Sequence, residues 1–337
     1  MPEQRSRAAP SERTVLFFGS SAFSLPLLEA LLSGPGRLLA VVTRPDQPAG
    51  RGRQARSTPV KELAAQRGIP VLEPERVNAP EMAARLRELA PDLIVLAAYG
   101  HILGGDLLSA ARLAPLNVHP SLLPKYRGAA PVAWALLRGE KETGVTIIRM
   151  TEEVDGGEIL AQEAVPIGDD ETAGELEARL ALLGARLLLG TLSRLEEALA
   201  RARPQGPAPG DGSGHAPRLR KEQGQVDWGL SAEEICRRVR GLTPWPGAYS
   251  FLRHDSRLLR LTLLRVATSE GTSGRPSGSV VQVLPEALLV QAGAGLVVVR
   301  KLQPAGGRAM DVAAFARGHK VREGDVFVDA SSSGERW

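Results

Sequence analysis

An asparagine and a histidine stand two positions apart in the segment NVHPSLLPKYRGAAP, residues 117–131. Residues i and i+2 of a β-strand point to the same face, so the side chains of Asn117 and His119 are expected side by side. An amide N–H can stabilise an oxygen that becomes negative during acyl transfer, and an imidazole can move a proton near neutral pH. The pair therefore suits acyl transfer. The alternative is a strand-end pair that only satisfies the backbone of the following loop.

A carboxylate that could serve this histidine occurs in the segment TEEVDGGEIL, residues 151–160. Asp155 stands directly before two glycines, whose lack of a side chain lets the backbone approach a ligand closely. A carboxylate beside an imidazole orients the ring and favours its charged form. Asp155 is therefore the third candidate for this chemistry.

Motifs of several other enzyme classes do not occur in the sequence. The first apolar run is followed by GSSAFS and not by the G-x-G-x-x-G of dinucleotide-binding proteins. Neither the phosphate-binding G-x-x-x-x-G-K-[ST] nor the nucleophile motif G-x-S-x-G is present. The five histidines are scattered and Cys236 is the single cysteine, so we expect no metal site and no disulfide.

The elements that would position these side chains alternate in type along the first half of the chain. TVLFFG (14–19) and RLLAVVT (37–43) are typical of buried strands, and SLPLLEALLS (24–33) between them has helical spacing. Repetition of this alternation predicts an α/β fold with a doubly wound, mostly parallel, Rossmann-like sheet. Asn117 and His119 would lie at the carboxyl end of a strand, where such sheets bind ligands.

Composition divides the 337 residues into two domains and a linker. We predict a disordered tail over 1–13 and a catalytic domain over 14–200. Residues 201–217 (RARPQGPAPGDGSGHAP) are rich in proline and glycine, as linkers are. Short alternating apolar runs over 218–330 predict a small antiparallel barrel or sandwich.

Charge and hydropathy restrict the partners and the compartment. Residues 1–200 carry 22 basic and 25 acidic side chains, whereas residues 201–337 carry 20 and 13. A basic second half suggests a polyanionic partner, and an arginine-rich composition throughout is the alternative explanation. No apolar run approaches the roughly 18 residues that a membrane span needs, and the polar start of the chain lacks a secretory apolar segment. We expect a cytoplasmic protein without a membrane partner.

A cationic stretch, RPDQPAGRGRQAR (44–56), follows directly on the second apolar run. Its prolines and glycines exclude a helix or an inner strand, and its spacing excludes a phosphate-binding P-loop. Two explanations of this stretch remain: a contact to nucleic acid, and a solvated turn.

Taken together, NVHPSLLPKYRGAAP and VDGGEI resemble the formyltransferases that use 10-formyltetrahydrofolate, and the similarity runs from about residue 14 to residue 328. The resemblance implies Asn117, His119 and Asp155 as the catalytic trio, an OB-like carboxyl-terminal barrel, and 10-formyltetrahydrofolate as co-substrate without a metal. It also implies a folate pocket formed by Tyr99, Ile102, Ser121, Leu122, Leu123 and Pro124.

The cationic stretch resembles the insertion loop of the family branch that formylates initiator methionyl-tRNA. RKEQGQVDWGLSAEEI, PWPGAYS and LQPAGGRAM resemble the tRNA-binding domain of the same branch. We predict a monomer with tRNA contacts at Arg51, Arg53 and Arg56, and solvated surface charge is the alternative for Arg53 and Arg56. Lys125 and Arg127 flank the active-site motif and are predicted to contact the tRNA terminus, with the glutamate tail of the folate as the alternative. The alternatives are a formyltransferase acting on a sugar nucleotide or another small amine and a non-catalytic protein that binds folate or RNA on the same scaffold.

Overall fold

The computed structural model describes residues 12–49, 54–254 and 257–329, and within them the chain forms two compact units. The first unit consists of the chain up to residue 129, residues 144–165 and residues 177–215. The second consists of residues 130–143, residues 166–176 and the chain from residue 216 onward. The units are thus interleaved in sequence. The domain boundaries inferred from composition stay a prediction, and most of the predicted tail lies outside the described residues.

The structure contains the following elements, in chain order. The helices are α1 (Ser24–Ser33), α2 (Pro59–Gln66), α3 (Pro80–Leu89), α4 (Gly105–Leu108), α5 (Pro131–Leu137), α6 (Ala173–Ser193), α7 (Leu195–Ala200), α8 (Ala232–Gly241) and α9 (Val312–His319). The first strands are β1 (Arg13–Gly19), β2 (Gly36–Val42), β3 (Gln47–Ala49), β4 (Gln54–Arg56), β5 (Val71–Leu72), β6 (Leu93–Ala97), β7 (Ala114–His119), β8 (Arg127–Gly128), β9 (Glu142–Arg149) and β10 (Ile159–Pro166). The later strands are β11 (His215–Ala216), β12 (Ala248–His254), β13 (Arg257–Ser269), β14 (Val280–Val283), β15 (Leu288–Gln291), β16 (Leu296–Pro304), β17 (Met310–Asp311) and β18 (Val326–Val328).

The main sheet of the first unit has the strand order β10-β9-β7-β6-β1-β2-β5. β1 pairs in parallel with both β2 and β6, and β6 pairs in parallel with β7. β9 runs antiparallel to β7, with Asn117 opposite Ile148 and His119 opposite Thr146. The predicted mostly parallel α/β sheet is confirmed. Its inner strands are apolar on both faces because a parallel sheet is covered on both sides.

Helix α6 determines which face of β7 is available for chemistry. A Cβ atom added at Gly184 would lie 3.0 Å from Val118 Cγ1 and 3.6 Å from Val145 Cγ1, so the helix packs tightly onto this face of the sheet. Val118 is 1% exposed. Since neighbouring side chains of a strand alternate between the faces, Asn117 and His119 project from the opposite one.

The sequence did not predict three local features. The cationic stretch contains a short antiparallel ribbon in which Gln47 pairs with Arg56, because prolines and glycines that exclude a helix still permit a two-stranded edge. Residues 172–200 (TAGELEARLALLGARLLLGTLSRLEEALA) have the spacing of one long amphipathic helix, but in the structure this helix is interrupted at Arg194, whose φ of −126° and ψ of 39° are not helical. Helix α5 was not predicted, since seven residues show too little periodicity.

The second unit contains an antiparallel sheet with the strand order β14-β15-β16-β13-β12-β18. An isolated antiparallel bridge joins Ser279 to Val326, so the two ends of this sheet approach each other. Trp228, Phe315 and Phe327 belong to the apolar core that the sheet encloses with α8 and α9. The predicted small antiparallel β domain is confirmed. In 12–49, 54–254 and 257–329, no helix combines the length and the apolar character needed to cross a bilayer.

Candidate active site

The structure brings Asn117 and Asp155 into direct contact. Asn117 Nδ2 donates to Asp155 Oδ1 over 3.0 Å, and the backbone N–H of Gly128 donates to Asp155 Oδ2 over 2.8 Å. Asn117 is 8% exposed and the Asp155 side chain 11%. Each carboxylate oxygen thus has a donor, and the Asn117 amide is held in one orientation.

His119 lies on the other side of the same carboxylate. Its Nε2 is 2.9 Å from the Tyr126 carbonyl oxygen, and its Nδ1 is 3.6 Å from Asp155 Oδ2. A carbonyl oxygen only accepts hydrogen bonds, so Nε2 carries the hydrogen and Nδ1 is the nitrogen that can gain a proton. A proton on Nδ1 would create an imidazolium directly facing the carboxylate. The expected trio is therefore assembled in space.

Unusual backbone conformations accompany this arrangement. Asp155 has a φ of 51° and Tyr126 a φ of 61°, in the left-handed region that non-glycine residues seldom occupy. Gly157 lies two positions after Asp155 in the sequence. A Cβ atom at Gly157 would lie 1.8 Å from the Arg149 carbonyl oxygen, so only glycine fits there. Residues held in such conformations cluster at functional sites, because the surrounding structure must compensate for the strain.

Two cavities meet at the turn that carries Asp155. The smaller one has a volume of about 100 Å³, and it is lined by Leu96, His101, Ile102, Leu103, Leu108, Asn117, Ile148, Met150, Thr151, Glu152, Glu153, Val154 and Asp155. The larger one has a volume of about 370 Å³, and it is lined by Arg127, Gly128, Val154, Ala208, Pro209, Gly210, Gly212, Gly214 and His215. Val154 lines both cavities, so the two spaces adjoin at the Asp155 turn.

The predicted folate residues have different environments. Ile102 is 63% exposed and lines the smaller cavity. Tyr99 is 1% exposed and packs edge-on against Phe18, and within the described chain its hydroxyl has no hydrogen-bond partner. Burial raises the pKa of Tyr99 to about 12, so the phenol stays neutral at physiological pH.

The segment Ser121–Pro124 contacts the protein interior. The Ser121 hydroxyl donates to the Lys125 carbonyl oxygen over 2.7 Å, and Leu123 packs with Ile148 and Ile159 in a small apolar cluster. Gln162 donates to the Leu123 carbonyl oxygen over 3.0 Å. Leu122 and Pro124 are half-buried. These contacts hold the loop that follows His119, and a role of its side chains in folate binding stays a prediction.

The predicted tRNA contacts are only partly described. Arg51 and Arg53 lie outside the described residues, and Arg56 is exposed at the end of β4. Lys125 is half-buried. The Arg127 side chain is 16% exposed, and Arg127 Nη1 contacts Glu153 Oε1 over 2.6 Å. Its guanidinium is thus engaged within the unit, and all five assignments stay predictions.

Several groups at this site carry no sequence signal. The Gly128 N–H and the Tyr126 carbonyl belong to the backbone, and no residue type encodes them. Gln205 lies in the segment predicted as a linker, yet its side chain contacts the Asp155 turn. Only the path of the chain brings these groups to the site.

Comparisons with known proteins identify the family of this chain. Residues 13–192 match the family model "Formyl transferase", and residues 218–320 match "Formyl transferase, C-terminal domain". The same fold occurs in an N-formyltransferase from Helicobacter canadensis in complex with folinic acid and dTDP-3-aminofucose, with a TM-score of 0.61 and 17% identity over 86% of this chain and 98% of that one. HypX from Aquifex aeolicus, in complex with tetrahydrofolic acid, has a TM-score of 0.60 and 18% identity over 90% of this chain and 46% of that one. The chain belongs to the formyl transferase family.

Relatives that match almost the whole chain indicate a particular branch of this family. The methionyl-tRNA formyltransferase of Citrifermentans bemidjiense is 42% identical over 319 residues, which cover 95% of this chain and 98% of that protein. The methionyl-tRNA formyltransferase of Syntrophus aciditrophicus is 43% identical over 313 residues, covering 93% and 98%. The family and the branch predicted from the motifs are confirmed.

Proposed function

We propose that this chain transfers the formyl group of 10-formyltetrahydrofolate to the amino group of methionine on initiator methionyl-tRNA, and thereby supports translation initiation. The observation that carries the proposal is the contact of Asn117 and His119 with one carboxylate at the junction of two cavities. Relatives that match almost the whole chain are methionyl-tRNA formyltransferases, which supports this acceptor.

The smaller cavity suits the folate co-substrate. Leu96, Leu103 and Met150 provide apolar walls, and Asn117 and Asp155 provide polar groups at one end. A flat heteroaromatic ring with a hydrogen-bonding edge needs this combination. The co-substrate supplies the formyl carbon that the amine attacks, and the Asn117 amide would donate to the formyl oxygen.

The larger cavity suits the acceptor. Val154, Ala208 and Pro209 line it with apolar surface, and Gly128 lies next to the Asp155 carboxylate. An aminoacyl ester with an apolar side chain could enter here and present its amine to the Asp155 turn. Donor and acceptor would then approach the turn from different sides.

Asn117 has the hydrogen needed to stabilise the transition state. Its amide nitrogen carries two hydrogens, and only one of them is used in the bond to Asp155. The other can point at the formyl oxygen as negative charge develops there. Because Asp155 already fixes the amide, little reorganisation is needed during the reaction.

The His119–Asp155 pair can handle the proton. The amine loses one proton as the new C–N bond forms, and the departing folate nitrogen gains one as the old C–N bond breaks. Nδ1 of His119 can receive the proton that the amine loses, since the facing carboxylate stabilises the resulting imidazolium. His119 can then give this proton to the departing folate nitrogen. The pair returns to its starting protonation state after each turnover.

The cationic stretch supplies charge for the RNA. We propose that Arg51, Arg53 and Arg56, with Lys125 and Arg127, contribute to tRNA binding, most of them through phosphates that add affinity without sequence information. A monomer in the cytoplasm is consistent with this substrate.

A formylation assay tests the function. Purified protein is incubated with 10-formyltetrahydrofolate and charged initiator methionyl-tRNA, and with a UDP-amino sugar in place of the tRNA as the control. Formyl-methionyl-tRNA without formyl sugar supports the proposal. Formyl sugar alone would indicate the sugar branch, and no product with either acceptor would indicate a non-catalytic binding protein.

A further inference from the structure

Gln205 makes four hydrogen bonds at the candidate active site. Its Nε2 donates to the carbonyl oxygens of Asp155 and Gly157, each over 2.7 Å. Its Oε1 accepts from Arg127 Nε over 3.1 Å and from Arg127 Nη2 over 2.9 Å. We propose that Gln205 is a positioning residue that holds Asp155 in its catalytic conformation. This inference rests on the proposed function.

The chemistry of the amide fixes its orientation. A primary amide has two N–H donors and an oxygen with two lone pairs, and all four are used here. A flipped amide would place its oxygen against two carbonyl oxygens and its NH₂ group against a guanidinium. Only one orientation satisfies both sides, so Gln205 behaves as a rigid connector.

The Asp155 turn needs such a connector. Asp155 has a φ of 51°, which is strained for a residue with a Cβ atom. The next two residues, Gly156 and Gly157, have no side chains that could pack and hold the turn. The two bonds from Gln205 reach the carbonyls on either side of Gly156 and thereby fix the turn from outside.

Gln205 Oε1 is also connected to the Asp155 carboxylate, through Arg127 and Gly128. It holds Arg127, whose guanidinium also contacts Glu153. The residue after Arg127 is Gly128, whose backbone N–H donates to Asp155 Oδ2. Gln205 therefore joins the backbone that carries Asp155 to the strand that supplies one of its hydrogen-bond donors.

Substitution of Gln205 tests the inference through the separation of kcat from KM. In Gln205→Ala, we expect kcat to fall about 10²-fold, because small displacements of a catalytic group have effects of that size, with KM for folate within about twofold. Gln205→Glu keeps an acceptor for Arg127 and removes both donors, so it should lose a similar factor. The matched control is Arg201→Ala on the same segment, whose side chain is 79% exposed, and it should retain wild-type kcat.

A double-mutant cycle with Asp155→Ala separates the inference from the proposed function. If Gln205 acts through Asp155, then Gln205→Ala causes little further loss on the Asp155→Ala background. An equal further loss on that background, or a full kcat in both Gln205 variants, would overturn the positioning role. A wild-type protein without formylation activity would instead refute the proposed function.

The thermal midpoint shows whether each variant is folded. A Gln205→Ala protein that loses activity only together with its fold, while Gln205→Glu keeps both, would also overturn the positioning role. A loss of kcat at an unchanged thermal midpoint in Gln205→Glu would support it, because a merely structural contact would not affect turnover alone.

Discussion

The side-chain amide of Asn117 and the carboxylate of Asp155 are hydrogen-bonded over 3.0 Å although the two residues are 38 positions apart. The carboxylate that faces His119 therefore also orients the side-chain amide of Asn117. Asn117 sits on strand β7, whereas Asp155 sits on a glycine turn after β9. One carboxylate therefore contacts both the side chain proposed to stabilise the oxyanion and the side chain proposed to move the proton.

Removal of the side-chain amide of Asn117 should lower kcat without weakening the binding of tRNA. We expect Asn117→Ala to lower kcat by on the order of 10²–10³, the loss measured when one oxyanion donor is removed from an enzyme. Steady-state formylation gives kcat, and filter binding with methionyl-tRNA gives the affinity. Full turnover in this variant would show that Asn117 does not stabilise the transition state.

Arg51 should contribute to recognition of the acceptor stem. We expect Arg51→Ala to lower kcat/KM for methionyl-tRNA about tenfold or more, with a smaller salt dependence, because a positive charge near the RNA is lost. Arg87→Ala, an exposed arginine on α3, is the matched control. If both variants matched the wild type on charged initiator tRNA, Arg51 would have no role in recognition.

Lys61 should hold the base of the cationic stretch. Its Nζ lies 2.9 Å from Asp46, just before β3, and 2.9 Å from Glu73. Hydrogen bonds to Glu73 and Asp46 raise the pKa of Lys61 above its ordinary value of 10.5, so the pairing persists at neutral pH. Lys61→Met should raise KM for tRNA a few-fold and leave kcat at saturating tRNA unchanged.

Lys61→Arg keeps a cation at this position and serves as the matched variant for that experiment. We expect it to retain a KM near the wild-type value, because a guanidinium can pair with either carboxylate. An unchanged KM in Lys61→Met would show that these ion pairs do not position the stretch for tRNA.

The carboxylate of Glu175 should make the free energy of unfolding depend on pH. Its carboxylate contacts Arg265 and accepts from Thr172 N–H and Oγ–H, and these interactions, led by Arg265, lower the pKa of Glu175 from 4.5 to about 2. A depressed folded-state pKa contributes stability above about pH 4.5, and this contribution is lost as the pH falls from about 4.5 to about 2.

The corresponding experiment compares thermal midpoints of the wild type and Glu175→Gln. The wild type should have the higher midpoint at pH 7, and the difference should shrink as the pH falls below about 4.5. A difference that stays constant between pH 7 and pH 3 would mean that the Glu175 charge does not contribute to stability.

The sequence by itself determined the fold class and identified the three side chains that are proposed as the catalytic trio. Both depend on short-range periodicity: alternating apolar runs indicate an α/β sheet, and the i, i+2 spacing places Asn117 and His119 on one face. Asp155 was recognisable because glycines mark a turn in which the backbone approaches a ligand. Short-range signals of this kind do not require knowledge of the path of the chain.

Only the tertiary structure decided how these side chains are arranged and which groups they contact. It brought Gln205 from a segment with linker composition to the carbonyl of Asp155, 50 positions away, and it directed His119 Nε2 to a backbone carbonyl. It also interrupted the expected long helix at Arg194. Hydrogen bonds between distant segments depend on where the chain returns in space, and local residue patterns do not record that path.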